Sequence, residues 1–110
     1  MNLNVTTHAR HAVVRPEGRL TASGAPRLKQ AIMKLIDEGS PRIVVDLAQT
    51  DFIDSSGLGA LIGGLKAARL AEGDLRLAAA NESVKSVLKL TSLARVLRDH
   101  PTVEAAFGDG

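Results

Sequence analysis

Cysteine, tryptophan and tyrosine are absent from the 110-residue sequence, and Phe52 and Phe107 are its only aromatic residues. Without thiols there is no disulfide framework, zinc knuckle, thiolate nucleophile or iron–sulfur cluster, which removes redox chemistry. Two aromatics cannot provide the stacking platforms of a single-stranded nucleic-acid groove. Charge of one sign is scarce as well: 14 Lys and Arg against 12 Asp and Glu leave a net charge of +2, and nothing indicates a duplex-binding face. No apolar run approaches the roughly 20 residues of a membrane span, and the first ten residues lack the apolar core of a secretory signal. The expectation is a cytoplasmic protein with no nucleic-acid partner and no membrane insertion.

What is present is aliphatic. Hydrophobic residues make up 45% of the chain, and the length suits one domain over 1–110, since single cores usually run to about 100 to 150 residues. Leu3 and Val5 alternate with polar neighbours, and Ala12 to Val14 form a second short run closed by Pro16 and Gly18, which together predict a hairpin. Leu28, Ala31, Ile32, Leu35 and Ile36 repeat on one helical face, with Thr21 or Ser23 available as a cap and Gly39 as a stop. Arg42 to Leu47 reads as a strand buried on both faces. Leu58, Leu61, Ile62, Leu65 and Ala68 predict a second helix to about Leu70. Leu75 to Ala80 follows as a strand, and Asn81 caps a third helix that Thr91 and Ser92 break. Arg95 to His100 is a last short strand, Pro101 opens a small helix over 102–107, and the tail 108–110 is expected to fray. Strands alternating with helices give an α/β fold, a mixed sheet of four to five strands with about four helices packed on it.

One stretch breaks local rules. From Gln49 to Gly64, four of the ten glycines (Gly57, Gly59, Gly63, Gly64) interrupt a stripe that is otherwise helical, and each glycine inside a helix costs about 0.5 to 1 kcal/mol relative to Ala. Close approach of another backbone, of a partner or of the helix's own sheet would offset that cost. Ser55 and Ser56 stand where an N-cap belongs, beside free amides and the positive end of a helix dipole. Capping alone accounts for one serine. Two carboxylates, Asp51 and Asp54, and the apolar pair Phe52 and Ile53 precede them.

The run Asp-Phe-Ile-Asp-Ser-Ser-Gly-Leu-Gly from Asp51 to Gly59, preceded by Ile-Val-Val-Asp-Leu, resembles the signature of the STAS domain, and specifically of the bacterial anti-sigma factor antagonists. The resemblance implies that Ser55, directly after the Asp of the motif, is the phosphoacceptor and that Ser56 supports the helix start. It further implies a partner cycle. The unphosphorylated antagonist binds an anti-sigma factor that is also a serine kinase and so frees the sigma factor; the kinase phosphorylates the antagonist, and a metal-dependent serine phosphatase resets it. ATP and Mg²⁺ belong to the kinase, so no cofactor or metal is expected on this chain. Relatives often carry Gly-Glu-Leu-Asp at the end of the second strand, where this chain has Gly18-Arg19-Leu20-Thr21.

The partner surface expected from these residues comprises Asp51, Phe52, Asp54, Ser56, Gly57, Gly59 and Gly63. A phosphate adds about −1.5 to −2 charges at one point, which a helix N-terminus tolerates in the free protein and a crowded interface does not. Enzymatic readings fare poorly: Gly-x-Ser-x-Gly is absent around the serines, and neither phosphate-cradling glycine pattern fits. His8, His11 and His100 read as surface residues away from the serines. The competing non-enzymatic reading is a STAS interaction subunit of a transport or stress-signalling assembly without sigma-factor control. Lys85, Lys89, Arg95 and Arg98, near the third helix, would then or otherwise face an acidic partner or simply solvent.

Overall fold

The computed structural model describes residues 2–107, so the tail 108–110 lies outside the described residues. Along the chain run β1 (Asn2–Thr7), β2 (Ala12–Leu20), α1 (Ala25–Asp37), β3 (Arg42–Asp46), β4 (Thr50–Ile53), α2 (Ser55–Leu70), β5 (Asp74–Ala78), α3 (Glu82–Leu90), β6 (Asp99–His100) and α4 (Val103–Ala106). The expected hairpin is there, with β1 antiparallel to β2 and Val5 opposite Val14. Strands β2, β3, β5 and β6 are parallel neighbours, giving the order β1-β2-β3-β5-β6, and β4 pairs in parallel with the far end of β2. The sheet is therefore mixed, as expected, with six strands rather than four to five.

The additional strand is β4, at residues to which the sequence pattern assigns no element. It exists because β2 does not stop at Pro16 and Gly18. Gly18 takes a φ of +94° at a register shift between Gly18 and Arg19, a bulge conformation that glycine adopts without a Cβ penalty. Beyond it, Arg19 and Leu20 lie opposite Phe52 and Ile53. The Thr50 hydroxyl, 1% exposed, donates to the Pro16 carbonyl at 2.9 Å and fixes the start of β4.

The two faces of the sheet are covered unequally. Ala12, Val14, Ile43, Val45, Leu75 and Leu77 pack beneath α1, α2 and α3 in the main core. Val13, Val44 and Ala78 point the other way and meet Ala106 and Phe107 at the C-terminal end of the described chain. β3 is thus buried on both faces, which explains its unbroken apolar run. Phe107 is held between guanidinium groups, with Arg42 4.7 Å and Arg76 4.2 Å from its ring centroid. His11 stacks on the same ring and His8 on His11, so these two imidazoles form a column on the sheet's second face rather than standing free.

α1 begins at Ala25 and buries Leu28, Ile32 and Leu35, but neither Thr21 nor Ser23 caps it. The Thr21 carbonyl instead accepts the N–H groups of Gly24 and Ala25 at 3.0 and 2.8 Å. Asn81 does cap α3, its Oδ1 accepting from the Val84 N–H at 2.8 Å. The last strand is shorter than the sequence suggests, since residues 93–97 turn back on themselves and the Leu97 N–H donates to the Leu93 carbonyl. No helix among the described residues is long and apolar enough to cross a membrane.

Asp74 joins α2 to β5, accepting from Arg69 at 3.3 Å, Arg76 at 3.1 Å and the Leu75 N–H at 3.0 Å. Burial pushes its carboxyl up, but the Arg76 and Leu75 hydrogen bonds and the Arg69 guanidinium outweigh this and hold it below the usual carboxylate range. A carboxyl whose folded value is lowered stabilises the fold above its unfolded value of about 3.9, and this contribution is lost as pH falls through the lower native value. Urea unfolding of Asp74→Asn should therefore show a larger deficit against the parent protein at pH 7 than at pH 3.

Candidate functional site

The site is the junction of β4 with α2. Pairing of β4 with β2 brings Ile53 beside Leu20, and the Asp54 N–H donates to the Leu20 carbonyl at 3.3 Å. With β4 anchored there, Asp54 is the last extended residue, at φ −112° and ψ −172°, and it is the N-cap of α2. Its Oδ1 accepts from the Gly57 N–H at 3.0 Å. The sequence assigns the cap region to Ser55 and Ser56, but they are the first two residues inside α2, and both are exposed. Capping belongs to the carboxylate one position earlier because β4 ends at Ile53. Asp54→Ala should accordingly cost about 0.5–2 kcal/mol, and Ser55→Ala less than about 0.5 kcal/mol, both read from urea midpoints.

The glycines divide into two kinds. A Cβ on Gly57 would stand 2.4 Å from the Leu20 carbonyl oxygen and 2.8 Å from Ile53 Cγ1. One on Gly64 would stand 2.8 Å from Ile32 Cδ1 and 3.1 Å from Leu75 Cδ1. Both are buried and serve the packing of α2 on its own fold. Gly57 is expected from the sequence on a partner surface; in this structure its missing side chain makes room for β2. Gly59 is exposed with nothing within 4 Å of its Cβ position, and Gly63 has only the end of the Lys29 side chain near it, at 3.8 Å.

Asp51 is exposed and Phe52 half-buried, next to the serines along the chain. The Arg19 guanidinium lies over the Phe52 ring, 4.7 Å from its centroid. The departure at Arg19 therefore places a cation beside β4. Sequence reasoning missed this contact because it follows from the β2–β4 pairing. Ser56, Gly59 and Lys29 line a shallow depression between the starts of α1 and α2. A further clasp holds the junction from α3: Asn81 Nδ2 donates to the Thr50 carbonyl at 3.2 Å while its Oδ1 caps the helix. The junction thus offers two exposed hydroxyls at a helix start, those of Ser55 and Ser56, two acidic residues before them, and an open stripe of small residues after them.

A mixed sheet with three helices on one face, and a capped strand-to-helix turn presenting adjacent serines, define a small α/β domain with its exposed hydroxyls at a helix start. The chain belongs to the STAS domain family, whose model matches residues 2–106, and within it to the anti-sigma factor antagonists. It is 30% identical over 95 residues to the anti-sigma-B factor antagonist of Staphylococcus epidermidis, covering 84% of this chain and 88% of that one. Its fold is similar to the crystal structure of a putative anti-sigma factor antagonist from Thermotoga maritima, with a TM-score of 0.89, 25% identity, and coverage of 97% of this chain and 92% of that one. A phosphorylated form of the Bacillus cell fate determinant SpoIIAA shares the fold at a TM-score of 0.74 and 22% identity, over 94% of this chain and 96% of that one.

Proposed function

We propose that this chain is a phosphorylation-controlled anti-sigma factor antagonist acting in the cytoplasm. Unphosphorylated, it binds an anti-sigma factor that is also a serine kinase, and the sigma factor is released. The kinase transfers the γ-phosphoryl group of ATP to Ser55 Oγ, with ADP leaving and the hydroxyl proton passing to the kinase, and binding ends. A metal-dependent serine phosphatase hydrolyses the phosphoester and restores the antagonist.

The observation that carries this reading is the division of labour at the start of α2. Asp54 accepts the capping hydrogen bond, so the Ser55 hydroxyl is exposed and has no structural duty. A hydroxyl in that position can be modified without breaking a cap, and the helix start favours the incoming anion. Asp51, Phe52, Asp54, Ser56, Gly59 and Gly63 would form the docking surface around it. Anti-sigma factor antagonists among the relatives, and a Bacillus protein of the same fold in a phosphorylated form, support the same assignment.

Two measurements test it. Incubation with the cognate kinase and ATP, followed by mass spectrometry, should place the phosphate on Ser55; phosphate on Ser56 alone would sink the assignment. A pull-down from the native cell should recover an ATP-binding anti-sigma factor. Recovery of transport or other assembly components in its place would overturn sigma-factor control.

A further inference from the structure

Arg95 and Arg98, which the sequence places near α3, line a cavity of about 370 Å³ together with Arg69, Arg76 and His100. It lies at the end of α2 remote from Ser55. Along a helix rising about 1.5 Å per residue, Ser55 and Arg69 are about 21 Å apart. The one carboxylate in its wall, Asp74, is engaged by Arg69 and Arg76. Arg76 is fixed further by donating to the Ala106 carbonyl at 2.6 Å. The Arg95 and Arg98 side chains have no hydrogen bond or ion pair among the described residues. His100 Nε2 is buried with no hydrogen-bond partner among the described residues. Four arginines thus line a concave surface with one carboxylate among them, and a cleft concentrates the resulting field.

We propose that this cavity binds a compact multivalent oxyanion. Arg95 and Arg98 would grip it, and Asp74 holds Arg69 and Arg76 in place behind them. Guanidinium forks match paired phosphate or carboxylate oxygens bidentately, which an ammonium cannot do. The volume falls at the small end of ligand sites, about 300–1,000 Å³. Leu75 and Val96 supply the apolar wall, and no Phe, Tyr or Trp lines the cavity to stack a nucleobase. Size and polarity therefore fit an ion of pyrophosphate dimensions.

Calorimetric titration of the unphosphorylated full chain with inorganic pyrophosphate, at ionic strength held constant with sodium chloride, tests the site. Saturable binding is expected, and Arg95→Gln/Arg98→Gln should bind at least about tenfold more weakly, about 1.4 kcal/mol. Lys89→Gln removes a cation outside the cavity and should stay within about twofold, since remote exposed charges are screened. Should the double variant fail to fold, Arg98→Lys keeps the charge without the fork and should still weaken binding. Three outcomes overturn the proposal: no saturable heat, equal losses in the cavity and Lys89 variants, or saturable binding of a Glu-rich peptide with none of pyrophosphate. The last would assign the surface to a protein partner. Because the titration uses neither kinase nor phosphate on Ser55, its failure leaves the phosphoacceptor reading untouched, and the converse holds.

Discussion

Ser55→Asp, like phosphorylation of Ser55, is expected to weaken binding of the kinase anti-sigma factor at least about 100-fold, about 2.8 kcal/mol, with the thermal midpoint nearly unchanged. The two halves of this expectation have separate physical origins. In the free protein Ser55 is exposed at the first position of α2, where the dipole and unpaired amides favour an anion by about 0.3–1 kcal/mol. Asp54 continues to accept the Gly57 N–H, so nothing in the fold is given up. In the complex the same charge must lose its water beside the Asp54 carboxylate, and Asp51 adds further negative charge close by. A desolvated charge without a counter-ion costs several kcal/mol. Calorimetric titration of the kinase, paired with a thermal melt of each variant, separates the terms. Unchanged affinity would remove Ser55 from the interface, and a collapsed melt would make the serine structural. Ser55→Ala should bind as the parent does and resist inactivation by ATP.

The parts of this design that the sequence displays are those governed by neighbours along the chain. The stripe Leu28, Ile32, Leu35 and the apolar run from Ile43 to Val45 locate α1 and β3 because burial follows a period that any short window contains. Asn81 locates the start of α3 for the same reason. The Asp51–Gly59 motif is equally local, and it points to the junction where Asp54 and the serines stand. The cap itself is not local. Asp54, Ser55 and Ser56 are all good capping residues, and the choice among them depends on where β4 ends, which its pairing with Arg19 and Leu20 decides. β4 is hidden because Asp51 is exposed and Phe52 only half-buried, leaving four residues with no clean alternation. The arginine cavity is hidden more deeply. Arg69, Arg76, Arg95 and Arg98 come from α2, β5 and the segment before β6, and only the parallel packing of β5 beside β6 gathers them.

The glycines need the same distinction between local and tertiary information, and they yield the largest expected stability change. Gly57→Ala should destabilise the fold by about 3 kcal/mol or more, at the upper end of what overpacking costs. The added methyl would sit 2.4 Å from the Leu20 carbonyl oxygen, a backbone atom that cannot swing aside. That carbonyl also accepts the Asp54 N–H. Relieving the clash means drawing the start of α2 away from β2, which strains both the Asp54 contact and the register of β4. Gly59→Ala, two residues on, should do the opposite. Its Cβ position is open, so replacing a helical glycine stabilises by about 0.5–1 kcal/mol. Urea unfolding of the two variants side by side measures both signs. A neutral Gly57→Ala would mean that α2 and β2 are not packed as described. A stable Gly59→Ala that binds the anti-sigma factor poorly would place the interface on the open stripe of α2, because a lost complex with a strengthened fold cannot be attributed to unfolding.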